Sequence, residues 1–142
     1  MCIKRGLQLA DAAELLFRQI NPKWLVDDGV PGSLSFVPSR HDDDCLSVDR
    51  SAITDATASY RFFTSATPTG LGRSSAGVWA LTVDEVEKVG LQAFSDPEPA
   101  SSEMPENSAH AVIDFEGISG NQQKKIGGRL KVFATARGRL AP

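Results

Sequence analysis

A chain of 142 residues has the length of one ordinary domain and can bury a core without a metal or disulfide staple. Its hydrophobic share of 41% and charged share of 23% exclude a fibrous or wholly disordered protein and suit a soluble globular one. The net charge of −3 is unevenly spread: residues 1–116 carry 9 Lys/Arg against 18 Asp/Glu, whereas residues 117–142 carry 6 basic residues and no acid. An acidic body with a basic tail points to an acidic partner or to pairing within the chain itself.

Lys4 and Arg5 precede an apolar stretch in the manner of a signal peptide, but Asp11 and Glu14 interrupt it and no small-residue cleavage pattern follows. No run approaches the length of a membrane span. Two cysteines, Cys2 and Cys45, do not make a disulfide framework and suit a reducing compartment. A cytoplasmic protein without membrane association is expected.

Along the chain, LQLADAAELLF (7–17) has helical spacing at Leu9, Ala12, Ala13 and Leu16, while LLFRQI (15–20) also has strand character before Asn21-Pro22. SLSFV (33–37) alternates like a half-buried strand ended by Pro38, and CLSVDR (45–50) reads as a second strand. DATASYRFF (55–63) carries a helical stripe, with Ser51 or Thr54 as its cap. A glycine-containing loop (64–75) leads into the strand AGVWALTV (76–83). Thr82 and Glu85 then match a capping box for a short helix that stops at Gly90.

Residues 95–108, SDPEPASSEMPENS, hold three prolines, four acids and four serines, and so read as a flexible or lid-like loop. AHAVIDF (109–115) is the last strand. Ser119 and Gln122 form a second possible capping box, opening a basic helix over 119–137. Gly127-Gly128 weakens that helix by roughly 2 kcal/mol relative to alanine, so tertiary contact must hold it. The expected fold is a single α+β domain with a mixed or antiparallel sheet of about five strands and two or three helices on one face. Its core is expected from Leu16, Phe36, Leu46, Val48, Tyr60, Phe63, Val78, Trp79, Val112, Ile113 or Phe115, and Leu130.

Several constellations bear on chemistry. In RHDDDCLSVDR (40–50), His41, Asp42, Asp44 and Cys45 offer ligand atoms, with His110 available from elsewhere. Thiolate and carboxylates suit different metals, and the spacing fits no zinc or calcium motif, so no metal site is expected. Cys45 lacks an activating environment among three acids and reads as a small core residue. Asp114 and Glu116 share a strand face and could share a site. The tail residues Lys124, Lys125, Arg129 and Lys131 spread over a wide arc with one aromatic nearby, which favours a protein partner or self-association over nucleic acid.

Taken together, LFRQINP, SLSFVPSRHDDDCLSVDRSAITDATASY, SAGVWALTV and NSAHAVIDFEG resemble a group of small uncharacterised bacterial proteins, a likeness that implies one compact domain and no activity. Arg18, Ser47 and Glu116 are also similar to the spaced arginine–serine–glutamate pattern of ADP-ribosyltransferase folds. That resemblance implies NAD as cofactor, with Arg18 on its phosphates, Ser47 orienting the nicotinamide-side ribose and Glu116 stabilising an oxocarbenium-like transition state. The paired-glutamate turn of those folds is absent. The leading expectation is therefore a cofactor-free protein acting through protein–protein interaction, an accessory or immunity-type component of a bacterial operon. The NAD-consuming enzyme is the alternative.

Overall fold

The computed structural model describes residues 1–26 and 28–142. Five strands, β1 (Leu15–Gln19), β2 (Cys45–Arg50), β3 (Val78–Thr82), β4 (Gln92–Ser95) and β5 (His110–Asp114), form one antiparallel sheet in the order β3-β1-β2-β5-β4. The helices are α1 (Ala56–Thr64), α2 (Val83–Lys88) and α3 (Gly120–Arg137). The α+β class read from the sequence is the class observed, but the helices, expected on one face, lie on both, with α1 opposite α2 and α3. No helix among the described residues is long and apolar enough to cross a membrane.

Side-chain alternation divides the sheet into two unlike faces. Leu16, Ile20, Leu46, Val48, Trp79, Leu81, Ala111 and Ile113 point to one face, where α2 and α3 cover them with Val83, Val86, Leu130 and Ala134. On the opposite face, Phe17, Val78 and Ala80 make a smaller apolar cluster under Ala56 and Tyr60 of α1. The rest of that second face, over β2 and β5, is polar and carries the site described below. Tyr60 and Phe63, expected in the core, are only half-buried, and the residue that α1 buries is Ser59.

Three segments depart from the sequence expectation, the third being residues 95–108, read as a flexible loop and closed instead by paired Glu98–Asn107 backbone bonds. Residues 7–17 form no helix. Leu15–Gln19 pairs with β3 over five residues instead, because both faces of the strand are covered and a doubly buried strand reads as an unbroken apolar run. SLSFV is a single 3-10 turn, Ser33–Phe36, closed by Ser35 N–H donating to the Gly32 carbonyl. Pro31 and Pro38 bracket it too closely for a strand, and one turn sends Phe36 under α3 while leaving Leu34 exposed.

Caps fix the helix starts. Asp55, rather than Ser51 or Thr54, caps α1 by accepting from Ala58 N–H at 2.8 Å. The Thr82–Glu85 capping box forms in both directions. Glu85 also takes both ends of the Arg137 guanidinium, at 3.0 and 2.9 Å, tying the start of α2 to the end of α3. Ser119 caps α3 by accepting from Gln122 N–H.

Chain ends border the sheet on both sides. Residues 7–9 run along the free edge of β4, with Ser95 N–H donating to Leu7 O and Leu9 N–H to Ala93 O, both at 2.9 Å. At the other edge, Val78 pairs with Ala141. Ahead of residue 7, the chain crosses the polar face of β5 and β4 as a strap, and its end is bonded covalently: Cys2 and Cys45 form a disulfide across 43 positions. This overturns the expectation of two unlinked cysteines. A pairing between a terminal residue and the first residue of a strand becomes visible only once the strap's path is known.

Candidate functional site

The β1–β2 ladder is short. Only Leu16 with Arg50 and Phe17 with Asp49 are in register, whereas β2 and β5 pair over five residues. Past Phe17 the backbone of β2 is left without a strand partner on that side, and Arg18 occupies the gap. Its Nε donates to Ser35 O at 2.9 Å and its Nη1 to Ser47 O at 3.0 Å, while the guanidinium lies 5.6 Å over the Trp24 ring. Burial pushes Arg18 down to about 10, with Asp42 opposing the shift, so the side chain stays charged at neutral pH.

A cavity of about 450 Å³ opens beside this gap, in the range of small-ligand sites. Ser47, Asp49 and His110 line it from the sheet. Phe62 and Phe63 contribute from α1, and Arg73 comes from the loop after it. Glu98, Met104 and Asn107 enter from residues 95–108, which are ordered as a hairpin closed by reciprocal Glu98–Asn107 backbone hydrogen bonds of 2.9 and 2.8 Å. Asp49 is held by Ser59 Oγ–H at 2.7 Å and Asn107 Nδ2–H at 3.0 Å, which ties the sheet to both α1 and the hairpin.

One chain of hydrogen bonds in this cavity has a chemical direction. Ser47 and His110 project from adjacent strands on the same face, two residues apart in register. Ser47 Oγ lies 3.1 Å from His110 Nε2. On the other side of the ring, His110 Nδ1 lies 3.0 Å from both the backbone oxygen and Oδ2 of Asp96. A backbone carbonyl can only accept, so Nδ1 carries the proton, and in the neutral ring Nε2 is left as an acceptor for the serine hydroxyl.

Asp96 is 3% exposed and is gripped by Arg5, Nε to Oδ1 at 2.7 Å and Nη2 to Oδ2 at 3.1 Å. Ser47 is exposed to the cavity, whereas His110 is 9% exposed. A solvent-facing hydroxyl, a buried imidazole of defined tautomer and a buried carboxylate therefore stand in series.

The residues singled out from the sequence distribute as follows. Arg18 and Ser47 line the cavity together, but Glu116 does not. Glu116 lies beyond the end of β5, where its Oε1 accepts from Cys2 N–H at 2.8 Å. The arginine–serine–glutamate set is thus not assembled in one cleft. Asp114, the other half of the suggested carboxylate pair, accepts from Lys4 Nζ at 2.9 Å and from Glu116 N–H at 2.8 Å. Both acids hold the N-terminal strap.

The RHDDD cluster is a turn. Asp43 and Asp44 take left-handed φ values of 49° and 66°, which short acids tolerate. Asp42 Oδ2 accepts from the backbone and hydroxyl of Ser39. Among the described residues no three His, Cys, Asp or Glu are grouped to hold a metal ion. Cys45 is neither a thiol nucleophile nor a free core residue, because it is bonded to Cys2. Lys124, Lys125 and Arg129 are exposed on the outer side of α3 and Lys131 is half-buried there, all outside the cavity.

Asp96 escaped the sequence reading because it sits in a segment read as flexible. His110 drew notice only as a stray metal ligand. The available signal was the histidine opening a strand whose next three residues are apolar, a position where a polar ring needs partners. Comparison with known proteins found no matching family model, no matching curated protein and no matching solved structure.

Proposed function

We propose that the protein is a serine-nucleophile hydrolase of small acyl esters, with Ser47 as nucleophile, His110 as general base and then acid, and Asp96 as the group that orients the imidazole. The Ser47–His110–Asp96 chain, 3.1 and 3.0 Å with a single consistent direction of donation, carries this reading. Ser47 Oγ attacks the ester carbonyl as its proton passes to His110 Nε2, and buried Asp96 stabilises the resulting imidazolium. Nε2 returns the proton to the departing alcohol, leaving an acyl-serine. Water, deprotonated by His110, then releases the acid.

Arg18, which lines the same cavity and donates to the Ser47 carbonyl, is the cation we assign to the developing oxyanion. Phe62 and Phe63 give the acyl group an apolar wall. The test is covalent labelling with a fluorophosphonate. Wild type should gain one adduct on Ser47, and Ser47→Ala and His110→Asn should gain none while keeping the native circular dichroism spectrum. Absence of any adduct on the folded wild type would mean that the three residues are a structural network.

A second reading, association of the protein with itself, is favoured by α3. Lys124, Lys125, Arg129 and Lys131 surround Val132, which is 66% exposed, and the body of the chain is acidic. Sedimentation should then show a salt-sensitive dimer that Lys124→Glu with Lys125→Glu dissolves. A monomer at all salt concentrations refutes it.

A further inference from the structure

We infer that the Cys2–Cys45 disulfide is a redox latch on this site, acting through Arg5 as a positioning residue for His110. The inference rests on the preceding assignment for the reactivity of Ser47 but not for the orientation of the imidazole. The strap has two anchors. From Leu7 onward it is hydrogen-bonded along β4, and at Cys2 it is bonded to the first residue of β2, two positions before Ser47. Arg5 lies between them and spans to Asp96 with both ends of its guanidinium.

Asp96 is the carboxylate that meets His110 Nδ1, and Arg5 is the cation that fixes which way its two oxygens face. Other groups facing this part of the strap are Lys4 on Asp114, 5.7 Å above the Phe94 ring, and Glu116 on the Cys2 amide. Each is a single contact on an exposed or half-buried side chain. Without the covalent end, residues 1–6 are held by these contacts, by the Arg5–Asp96 pair itself and by the anchor at Leu7. An Arg5 tethered at both ends meets Asp96 at a higher effective concentration than one tethered only through Leu7.

The switching step is thiol–disulfide exchange with a dithiol reductant. Cys45 is half-buried and Cys2 is 2% exposed, so the attacking thiolate reaches Cys45 Sγ and Cys2 leaves as a thiolate that takes a proton. The second thiol of the reductant displaces Cys45, which also becomes a thiol. Two electrons and two protons pass to the protein, and the dithiol is left as a cyclic disulfide. In a compartment that keeps thiols reduced, such a bond is transient and suited to sensing.

The test compares oxidised protein, protein reduced with dithiothreitol, Cys2→Ser with Cys45→Ser, and oxidised Arg5→Gln and Arg5→Lys. Two readouts are taken: the His110 Nδ1–H chemical shifts by NMR and the rate of fluorophosphonate labelling at Ser47. The Asp96 carbonyl keeps the proton on Nδ1 throughout, and oxidised wild type should show in addition the downfield Nδ1–H shift of a bond to the Asp96 carboxylate. Reduction, the double serine variant and Arg5→Gln should each move that proton upfield and slow labelling on the order of tenfold. Arg5→Lys should recover part of both, and the double serine variant should ignore dithiothreitol. An unchanged Nδ1–H shift on reduction overturns the latch, as does an Arg5→Gln protein that behaves as wild type. Loss of the native circular dichroism spectrum on reduction also overturns it, because the bond would then be required for the fold itself rather than adding to its stability. No labelling of oxidised wild type refutes the nucleophile, while the Nδ1–H shift still decides the latch.

Discussion

Gly127 and Gly128 are neighbours in α3, yet alanine at the two positions should act in opposite directions. A Cβ on Gly128 meets nothing within 4 Å. Gly128→Ala therefore gains only the helix preference of alanine, about 1 kcal/mol. A Cβ on Gly127 would fall on Val37 Cγ2 and lie 2.8 Å from Ser33 O. One of those atoms is backbone, so the 33–36 turn must move as a unit. Overpacking of this kind costs about 1–3 kcal/mol, and the same helix preference offsets part of it. The net expectation is a loss of about 1 kcal/mol for Gly127→Ala and a gap of about 2 kcal/mol between the two variants. With a urea slope near 2 kcal/mol/M, their midpoints should stand about 1 M apart. The same turn carries Ser35, whose carbonyl accepts from Arg18 Nε, so Gly127→Ala should also slow labelling at Ser47. Equal stability of the two variants would refute the close approach of α3 to residues 33–37.

Three further outcomes follow from named contacts. Breaking the Cys2–Cys45 bond opens a loop of 43 positions and should lower unfolding stability by about 4 kcal/mol on the chain-entropy account, measured by urea titration of oxidised wild type against the double serine variant. Arg50→Met should cost about 3 kcal/mol, because Glu14, 6% exposed and bonded to both ends of Arg50, is left buried and unpaired; a loss below 1 kcal/mol would refute the pairing. Burial alone would raise the Glu85 carboxyl, but Arg137 and the Thr82 amide outweigh it and hold the group below its ordinary value. Its stabilising contribution is then present above the unfolded value of 4.5 and is lost as pH falls through the lower folded one. Glu85→Gln should flatten the acid limb of the stability profile below pH 4.5, and an unchanged limb would remove Glu85 from that role.

What the sequence carried was local pattern. CLSVDR, GVWALTV and AHAVIDF have enough β-branched and apolar residues on alternate positions to specify strands, and the Thr82–Glu85 box depends on a spacing of three. Residues 7–17 misled because Leu9, Ala12, Ala13 and Leu16 satisfy a helical period by chance, while the pairing of Leu15–Gln19 with β3 is contact across some sixty positions. The short strand β4 has one fully buried apolar side chain and no long alternation, so its hairpin with β5, and with it the reach from Asp96 to His110, left no local trace. Ser47 and His110 were each noticed and their pairing was not. Parity along each strand follows from composition, but register between strands is a property of the whole sheet.

The pairing of residues 7–9 with β4 and of Leu140–Ala141 with Val78 has a consequence for handling the protein. An open sheet exposes two rows of unpaired amides and carbonyls, each a template for a strand from another molecule. Here residues 7–9 cover the β4 row, and residues 140–141 with Arg137 cover Val78 and the Ala80 carbonyl of the β3 row, so these segments act as guards against fibril-like stacking. Trimming nine residues from the front or three from the back uncovers an edge beside Phe94 or Val78 and should turn a well-behaved solution into one that gels or precipitates. Affinity tags belong on flexible spacers that leave Leu7 and Ala141 in place.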